Sequence, residues 1–118
     1  MIKTRLTERL GIEHPVLLGG MGSGTNVELV SAVSEAGGLG ILSVTSYTPD
    51  QIADAAQQIR ARTRKPFGFN LLIAFTNEAQ LSACLAAGVP VLSTAWGDPA
   101  GHAEAARSSG TPWVHMVQ

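Results

Sequence analysis

A glycine-rich segment near the amino terminus is the first candidate for binding chemistry. Residues 19–24 read Gly-Gly-Met-Gly-Ser-Gly and directly follow a short apolar run. Glycine lets a ligand approach the backbone closely, and N–H groups beside a helix start can donate to it. The spacing is not GxGxxG, and no lysine follows as in a Walker loop. The segment therefore predicts a ligand-contacting loop, but favours neither a dinucleotide nor a nucleoside triphosphate.

The amide of Asn70 is the second candidate, because it interrupts the otherwise apolar run 67–73. A buried amide without hydrogen bonds costs about 1 to 3 kcal/mol. A ligand with both donor and acceptor atoms would satisfy an inward-facing amide, and so would a neighbouring loop. The residues alone leave these two interpretations open.

The remaining reactive side chains have structural interpretations. Cys84 is the only cysteine, which excludes an internal disulfide and a cysteine-cluster metal site. Its apolar helical surroundings predict a buried, unreactive thiol, and no metal site is predicted. His14 precedes the first predicted strand, at the edge that usually serves stability. We expect His102 to be solvated on a helix, while His115 lies in a strand and could face either side.

An alternation of apolar runs with amphipathic segments positions these candidates. Such an alternation is typical of βα units and predicts a parallel α/β fold. Strands are predicted at residues 15–18, 39–44, 67–73, 89–95 and 113–117. In parallel folds the βα loops gather at the carboxyl ends of the strands. The glycine-rich segment and Asn70 are both expected at that edge.

Capping signals mark the helices between these strands. Thr25 with Glu28, and Thr48 with Gln51, have the spacing of a capping box. Glycines or prolines end the helices and open the next strand. Four basic residues close the second helix, where positive charge meets the helix carboxyl terminus, and we favour this role over a phosphate site. They are Arg60, Arg62, Arg64 and Lys65.

Composition limits the class of protein. The chain of 118 residues predicts one domain over residues 1–118. A net charge of −1 and a charged fraction of 14% argue against a nucleic acid partner. No apolar run approaches the roughly 20 residues that span a bilayer, and no signal-type stretch opens the chain. We therefore expect a cytoplasmic protein that does not enter a membrane.

Three stretches in this order resemble the opening of the nitronate monooxygenase (2-nitropropane dioxygenase-like) family: residues 11–22, 35–41 and 65–71. The resemblance extends over essentially the whole chain. It implies an FMN-dependent oxidoreductase that oxidises alkyl nitronates with dioxygen. It also implies that the chain is the first four and a half units of a TIM-type (β/α)8 barrel. The family more often has alanine or glutamine where this chain has Gly19 and Gly20.

The resemblance also implies a cofactor site. It places Gly20, Met21 and Gly22 against the isoalloxazine ring of FMN and predicts that Asn70 hydrogen-bonds the flavin or its ribityl chain. Met116 or Gln118, near the end of the fifth predicted strand, would supply a further flavin contact. If these assignments are right, Asn70 must face away from the helices.

A complete barrel of this type takes about 250 residues. The resemblance places the catalytic histidine, in a Gly-Gly-His segment, and the phosphate-binding loops outside these residues, so no catalytic residue is assigned here. We expect the isolated chain to be inactive and to self-associate through the apolar edges at 15–18 and 113–117. Two alternatives remain: an FMN-dependent enoyl-acyl-carrier-protein reductase acting on an enoyl thioester, and a non-catalytic half-barrel that associates with another chain.

Overall fold

A computed structural model describes residues 2–117 and contains a four-stranded, fully parallel sheet. The strands are β1 (Gly40–Ser43), β2 (Phe67–Leu72), β3 (Val91–Ala95) and β4 (Trp113–His115). They lie in the order β1-β2-β3-β4, so each unit adds its strand beside the preceding one. Sequential parallel addition is the way in which a (β/α)8 barrel is built. The predicted parallel α/β repeat is confirmed.

Five α-helices lie within the described residues. They are α1 (Arg5–Leu10), α2 (Val27–Glu35), α3 (Pro49–Arg62), α4 (Glu78–Ala86) and α5 (Ala100–Ser109). The sequence analysis did not predict α1, which has only six residues and is held by reciprocal hydrogen bonds between Thr4 and Thr7. The capping box of Thr48 and Gln51 at α3 is confirmed. In the part of the chain that is described, no helix is both long and apolar enough to cross a membrane.

The predicted capping box of Thr25 and Glu28 is wrong. Helix α2 begins one residue later, and the side chain of Asn26 caps it by accepting from the Leu29 N–H at 2.8 Å. Thr25 is buried with extended backbone, and its hydroxyl oxygen accepts from the Ser43 N–H at 3.2 Å. A tertiary hydrogen bond to β1 therefore takes the place of the local cap.

The first predicted strand, residues 15–18, forms a single bridge from Leu17 to Leu39. Two hydrogen bonds of 2.9 Å make it, from the Leu18 N–H to the Leu39 carbonyl and from the Leu39 N–H to the Val16 carbonyl. The segment opens with a proline, which lacks an N–H, and glycines follow it, so the ladder stays short. A continuous apolar run favours a strand covered on both faces, but this prediction is wrong for residues 15–18, because Val16 is 58% exposed. The bridge still places this segment beside β1.

The two faces of the sheet are packed differently. On one face Leu42, Phe69 and Leu92 are completely buried in a core shared with the helices. On the opposite, inner face Ile41 and Val91 belong to a smaller apolar cluster. The cluster also contains Leu10, Ile12 and Leu39. Because strand residues alternate between faces, Asn70 lies on the inner face, opposite to Phe69 and the helices.

A close approach of α2 to β1 depends on Gly40. A Cβ added at Gly40 would lie 2.1 Å from the Val30 carbonyl oxygen, so any side chain there would collide with the helix backbone. The Gly40 N–H also donates to the Ser34 hydroxyl at 3.0 Å. These contacts fix the helix that follows the glycine-rich segment against the first strand of the sheet.

The described part of the sheet is bordered by the bridge segment 15–18 on one side and by β4 on the other. Strand β4 is shorter than predicted, since it ends at His115 and is followed by one more ladder-like bond, from the Met116 N–H to the Thr94 carbonyl at 2.9 Å. Self-association through these borders stays a prediction.

Candidate flavin-binding edge

A row of three polar side chains crosses the inner face of the sheet near its carboxyl edge. Ser43 of β1 is paired with Asn70 of β2, and Asn70 with Ser93 of β3. Paired residues of a parallel sheet point to the same side, so the three side chains form one layer. Neither serine was predicted from the sequence as part of the site. Each follows an inner-face apolar residue, Ile41 or Val91, by two positions, and this alternation was the available signal.

Asn70 combines burial with an available hydrogen-bond donor. It is 7% exposed, and its Oδ1 accepts from the Ser93 hydroxyl at 2.9 Å. Among residues 2–117 no acceptor lies within hydrogen-bond distance of its Nδ2. Every buried side-chain nitrogen or oxygen of the described residues has a hydrogen-bond partner. Because Nδ2 has none, it is not among the buried atoms and is reached by solvent. A bound ligand could therefore accept from this amide.

The backbone of Gly20 lies directly against this amide. A Cβ added at Gly20 would be 3.0 Å from both the Cβ and the Nδ2 of Asn70. Glycine at this position thus allows the loop to approach the polar row without a side chain between them. The structure brings Gly20 and Asn70 together on the inner side of the sheet, and their contact with a cofactor stays a prediction.

Met21 and Gly22 continue the same loop into a short 3-10 turn, Gly22–Gly24. The Thr25 hydroxyl donates to the Gly22 carbonyl at 3.2 Å and accepts from the Ser43 N–H, which ties the turn to the end of β1. Met21 is 55% exposed. The loop is therefore anchored at its end and presents Met21 to solvent, where a flat ligand could cover it.

The flavin contacts predicted near the end of the chain have different outcomes. Met116 follows β4 and its side chain is 63% exposed. Trp96, Gly97, Pro99 and His115 line a cleft with it. Gln118 lies outside the described residues, so its assignment stays a prediction.

Two aromatic side chains at the carboxyl edge were missed by the sequence analysis. Phe75, after β2, and Trp96, after β3, are 65% and 47% exposed and make an edge-on contact with ring centroids 6.1 Å apart. Trp96 has a left-handed backbone with φ of 58°. Such a conformation costs about 1 to 3 kcal/mol in a non-glycine residue and is concentrated at functional sites. Large apolar residues in the loops just after two neighbouring strands were the signal.

The histidines do not join the polar row. His115 faces the helices, and its Nδ1 lies 2.8 Å from the Thr94 hydroxyl, which also accepts from the Trp113 indole N–H at 2.9 Å. His102 is half-buried rather than solvated, and its pKa is lowered by burial and by repulsion from His115. His14 lies at the amino edge beside Glu13. Within residues 2–117, no histidine is therefore placed to act as a base at this site.

The basic cluster after α3 makes structural contacts. Arg60 donates to the Gly88 carbonyl at 2.9 Å and lies over the ring of Phe67. Arg62 and Lys65 form ion pairs of 3.4 and 3.2 Å with glutamates from earlier in the chain, Glu28 and Glu13. These contacts support the helix-terminal role over a phosphate site.

Comparison with known proteins identifies relatives of this chain. The family model described as nitronate monooxygenase matches residues 3–90. A curated relative from Mycobacterium tuberculosis, (3aS,4S,5R,7aS)-5-hydroxy-7a-methyl-1-oxo-octahydro-1H-indene-4-carboxyl-CoA dehydrogenase, is 50% identical over 70 residues. That match covers 59% of this chain and 20% of the relative. A probable nitronate monooxygenase from Staphylococcus haemolyticus is 36% identical over 78 residues, which is 63% of this chain and 22% of that protein.

Among solved structures, FabK from Thermotoga maritima superposes with a TM-score of 0.93 and 35% sequence identity. The superposition covers 99% of this chain and 38% of FabK, a TIM barrel. The chain thus spans well under half of that structure, and its matches span about a fifth of the curated relatives. The parallel repeat described above corresponds to part of a TIM barrel.

Proposed function

Because the chain belongs to the nitronate monooxygenase family, a family of flavin-dependent oxidoreductases, we propose that it provides part of the FMN site of an enzyme that oxidises alkyl nitronates with dioxygen. The observation that carries this proposal is the contact of the Gly20 backbone with the Asn70 amide. It joins an open loop backbone to a fixed hydrogen-bond donor at the carboxyl edge, where barrel enzymes hold their ligands.

The chemistry of these residues suits a flavin. A flat ring needs close backbone approach on one side and a small number of fixed polar groups. Gly20 provides the approach, because a side chain there would fill the space beside Asn70. Asn70 provides a donor through Nδ2, and Met21 offers an exposed apolar side chain from the same loop.

FMN, when bound, supplies the redox chemistry by taking electrons from the nitronate and passing them to dioxygen. The proposed role of the described residues is to bind the cofactor and to orient it. Asn70 would donate to the ring or its ribityl chain, Gly20 and Gly22 would keep the loop backbone accessible, and Phe75 with Trp96 would offer apolar surface at the carboxyl edge of the sheet. The catalytic base and the phosphate-binding loops are proposed to lie outside the described residues.

A thioester substrate is the second candidate, because specific relatives favour it. The relative that is 50% identical is named as a carboxyl-CoA dehydrogenase, and this name describes an acyl group carried as a coenzyme A thioester. An enoyl-acyl-carrier-protein reductase would likewise act on a thioester. The exposed pair of Phe75 and Trp96 suits the apolar body of such an acyl group as well as it suits an alkyl nitronate.

Titration of the purified chain with FMN tests the cofactor assignment. We expect saturable quenching of flavin fluorescence, weakened in Asn70→Ala, because Asn70 is the proposed donor. Absence of saturable binding would leave the non-catalytic half-barrel as the better interpretation of this chain.

Parallel assays with the two substrates test whether the catalytic base lies outside these residues. The chain is given FMN and either an alkyl nitronate with dioxygen or an enoyl thioester with a nicotinamide reductant. Little or no turnover is expected with either, because the proposed base is not among these residues. Turnover of one substrate would identify the reaction and would contradict the placement of the base elsewhere.

A further inference from the structure

We propose that Ser93 is a positioning residue for the flavin, because its hydroxyl anchors one end of the Asn70 amide and so fixes the plane in which the other end faces the ligand. The inference rests on the proposed function, since it assumes that FMN lies beside Asn70. It names a side chain that acts through Asn70 and does not itself contact the cofactor.

The hydrogen bond restrains rotation of the Asn70 amide about its last side-chain bond. The Ser93 hydroxyl donates to Oδ1 at 2.9 Å, and a Cβ added at Gly20 would lie 3.0 Å from Nδ2, so the other end of the amide is directed towards the loop. A hydroxyl can donate to an amide oxygen or accept from an amide nitrogen, so Ser93 fixes the plane of the amide in either case. Without this anchor the amide plane can rotate, and the group that faces the flavin loses its fixed direction.

Ser93 is held where it can impose this restraint. The register of β2 with β3 pairs it directly with Asn70, and the neighbouring pair joins Phe69 to Leu92. Leu92 is completely buried, so a shift of β3 that relaxed the contact would disturb the core. Among residues 2–117 Ser93 is the side chain that hydrogen-bonds the Asn70 amide. Ser43 is paired with Asn70 on the other side, and the bond from its backbone N–H goes to the Thr25 hydroxyl.

Flavin titration of single variants is the first arm of the test. Ser93→Ala should weaken FMN binding about three- to tenfold, the loss expected for one misaligned hydrogen bond. Ser93→Thr keeps the hydroxyl and should restore binding to within about twofold of the wild-type chain. Ser31→Ala is the matched control, because it removes a buried hydroxyl that donates only to Val27 of its own helix. Equal affinities of Ser93→Ala and Ser31→Ala would overturn the inference.

A double-mutant cycle separates positioning from a direct contact. In the Asn70→Ala background, Ser93→Ala should cause no further loss of FMN affinity, because the residue through which it acts is gone. An equal loss in both backgrounds would show that Ser93 acts directly or through general destabilisation, and would overturn the inference.

NMR of the chain without FMN tests the role of Ser93 independently of whether the proposed function is right. The Asn70 side-chain NH₂ protons should show cross-peaks to the Gly20 α protons in the wild-type chain and in Ser93→Thr. These cross-peaks should be lost or averaged in Ser93→Ala. If the wild-type chain binds no FMN, the cofactor assignment fails while the cross-peaks still decide the role of Ser93. Unchanged cross-peaks in Ser93→Ala overturn it.

Discussion

The two faces of β2 differ in composition although they belong to the same short strand. Phe69 and Leu71 face the helices, are completely buried and belong to the apolar core. Asn70, between them, faces inward and carries a hydrogen bond to Ser93 with a second polar group still available. The three side chains are buried to nearly the same extent, but Asn70 can form hydrogen bonds and the other two cannot.

This contrast assigns stability to one face of the strand and leaves the other face for the proposed binding. The face covered by the helices is filled by apolar side chains, which cannot form hydrogen bonds with a ligand. The inner face changes from the apolar layer of Ile41 and Val91 to the polar row of Ser43, Asn70 and Ser93 within two residues. Substitutions on the first face should mainly change the free energy of unfolding, and those on the second should mainly change ligand affinity.

The largest effect is expected from Phe69→Ala. It removes a fully buried ring from the main core and should lower the free energy of unfolding by about 3 to 5 kcal/mol. Asn70→Ala, one residue away, should cost about 1 kcal/mol because its hydrogen-bond partner Ser93 is only half-buried. Urea unfolding of both variants measures the difference. Similar midpoints would mean that the two faces do not divide the roles as proposed.

The next effect compares two glycines. Gly40→Ala should destabilise the chain by about 1 to 3 kcal/mol, because its Cβ would lie 2.1 Å from the Val30 carbonyl oxygen. Gly20→Ala, in an exposed loop, should change stability by less than about 1 kcal/mol but weaken FMN binding, since its Cβ would push on Asn70 at 3.0 Å. Thermal unfolding and flavin titration of both variants test this division. A Gly40→Ala variant as stable as the wild-type chain would contradict the close approach of α2 and β1.

A smaller effect concerns Cys84 at alkaline pH. Burial raises the pKa of its thiol from 9.0 to about 12, so the unfolded chain loses this proton first. The contribution of the protonated, buried thiol to the free energy of unfolding is fully present below pH 9. It is lost as pH rises from 9 towards about 12, by at most about 1.4 kcal/mol per pH unit. Unfolding measured across this window should show a steeper decline for the wild-type chain than for Cys84→Ala. Rapid labelling of the native thiol at pH 8 would contradict its burial.

The smallest effect is expected from His102. Burial and repulsion from His115 lower its pKa below 6.5, so the unfolded chain binds the proton more readily. Its contribution to stability is present above pH 6.5 and is lost as pH falls through the lower pKa of the folded chain. The melting temperature of His102→Gln should therefore decline less on acidification than that of the wild-type chain. An unchanged slope in His102→Gln would contradict the lowered pKa.

Local sequence signals were sufficient for most of the fold. Apolar runs predicted β1 to β4, and the Thr48 and Gln51 pair correctly began α3. They failed where a distant contact competed with the local one. Thr25 has a capping spacing, but its hydroxyl bonds to Ser43, so Asn26 caps α2 instead. The first predicted strand, residues 15–18, likewise forms a single bridge. Pro15 lacks an N–H, and the glycines that follow the segment do not extend the ladder.

The sequence by itself determined that Asn70 is the unusual polar residue of an apolar strand and that a glycine loop precedes the first helix. Only the tertiary structure decided that Gly20 lies against that amide, that Ser93 donates to it, and that His115 faces the helices. Helix and strand propensities depend on neighbours within a few residues, which the sequence displays directly. The direction of a side chain and its partner depend on strand register across more than 20 residues of chain, and packing of the whole sheet sets that register.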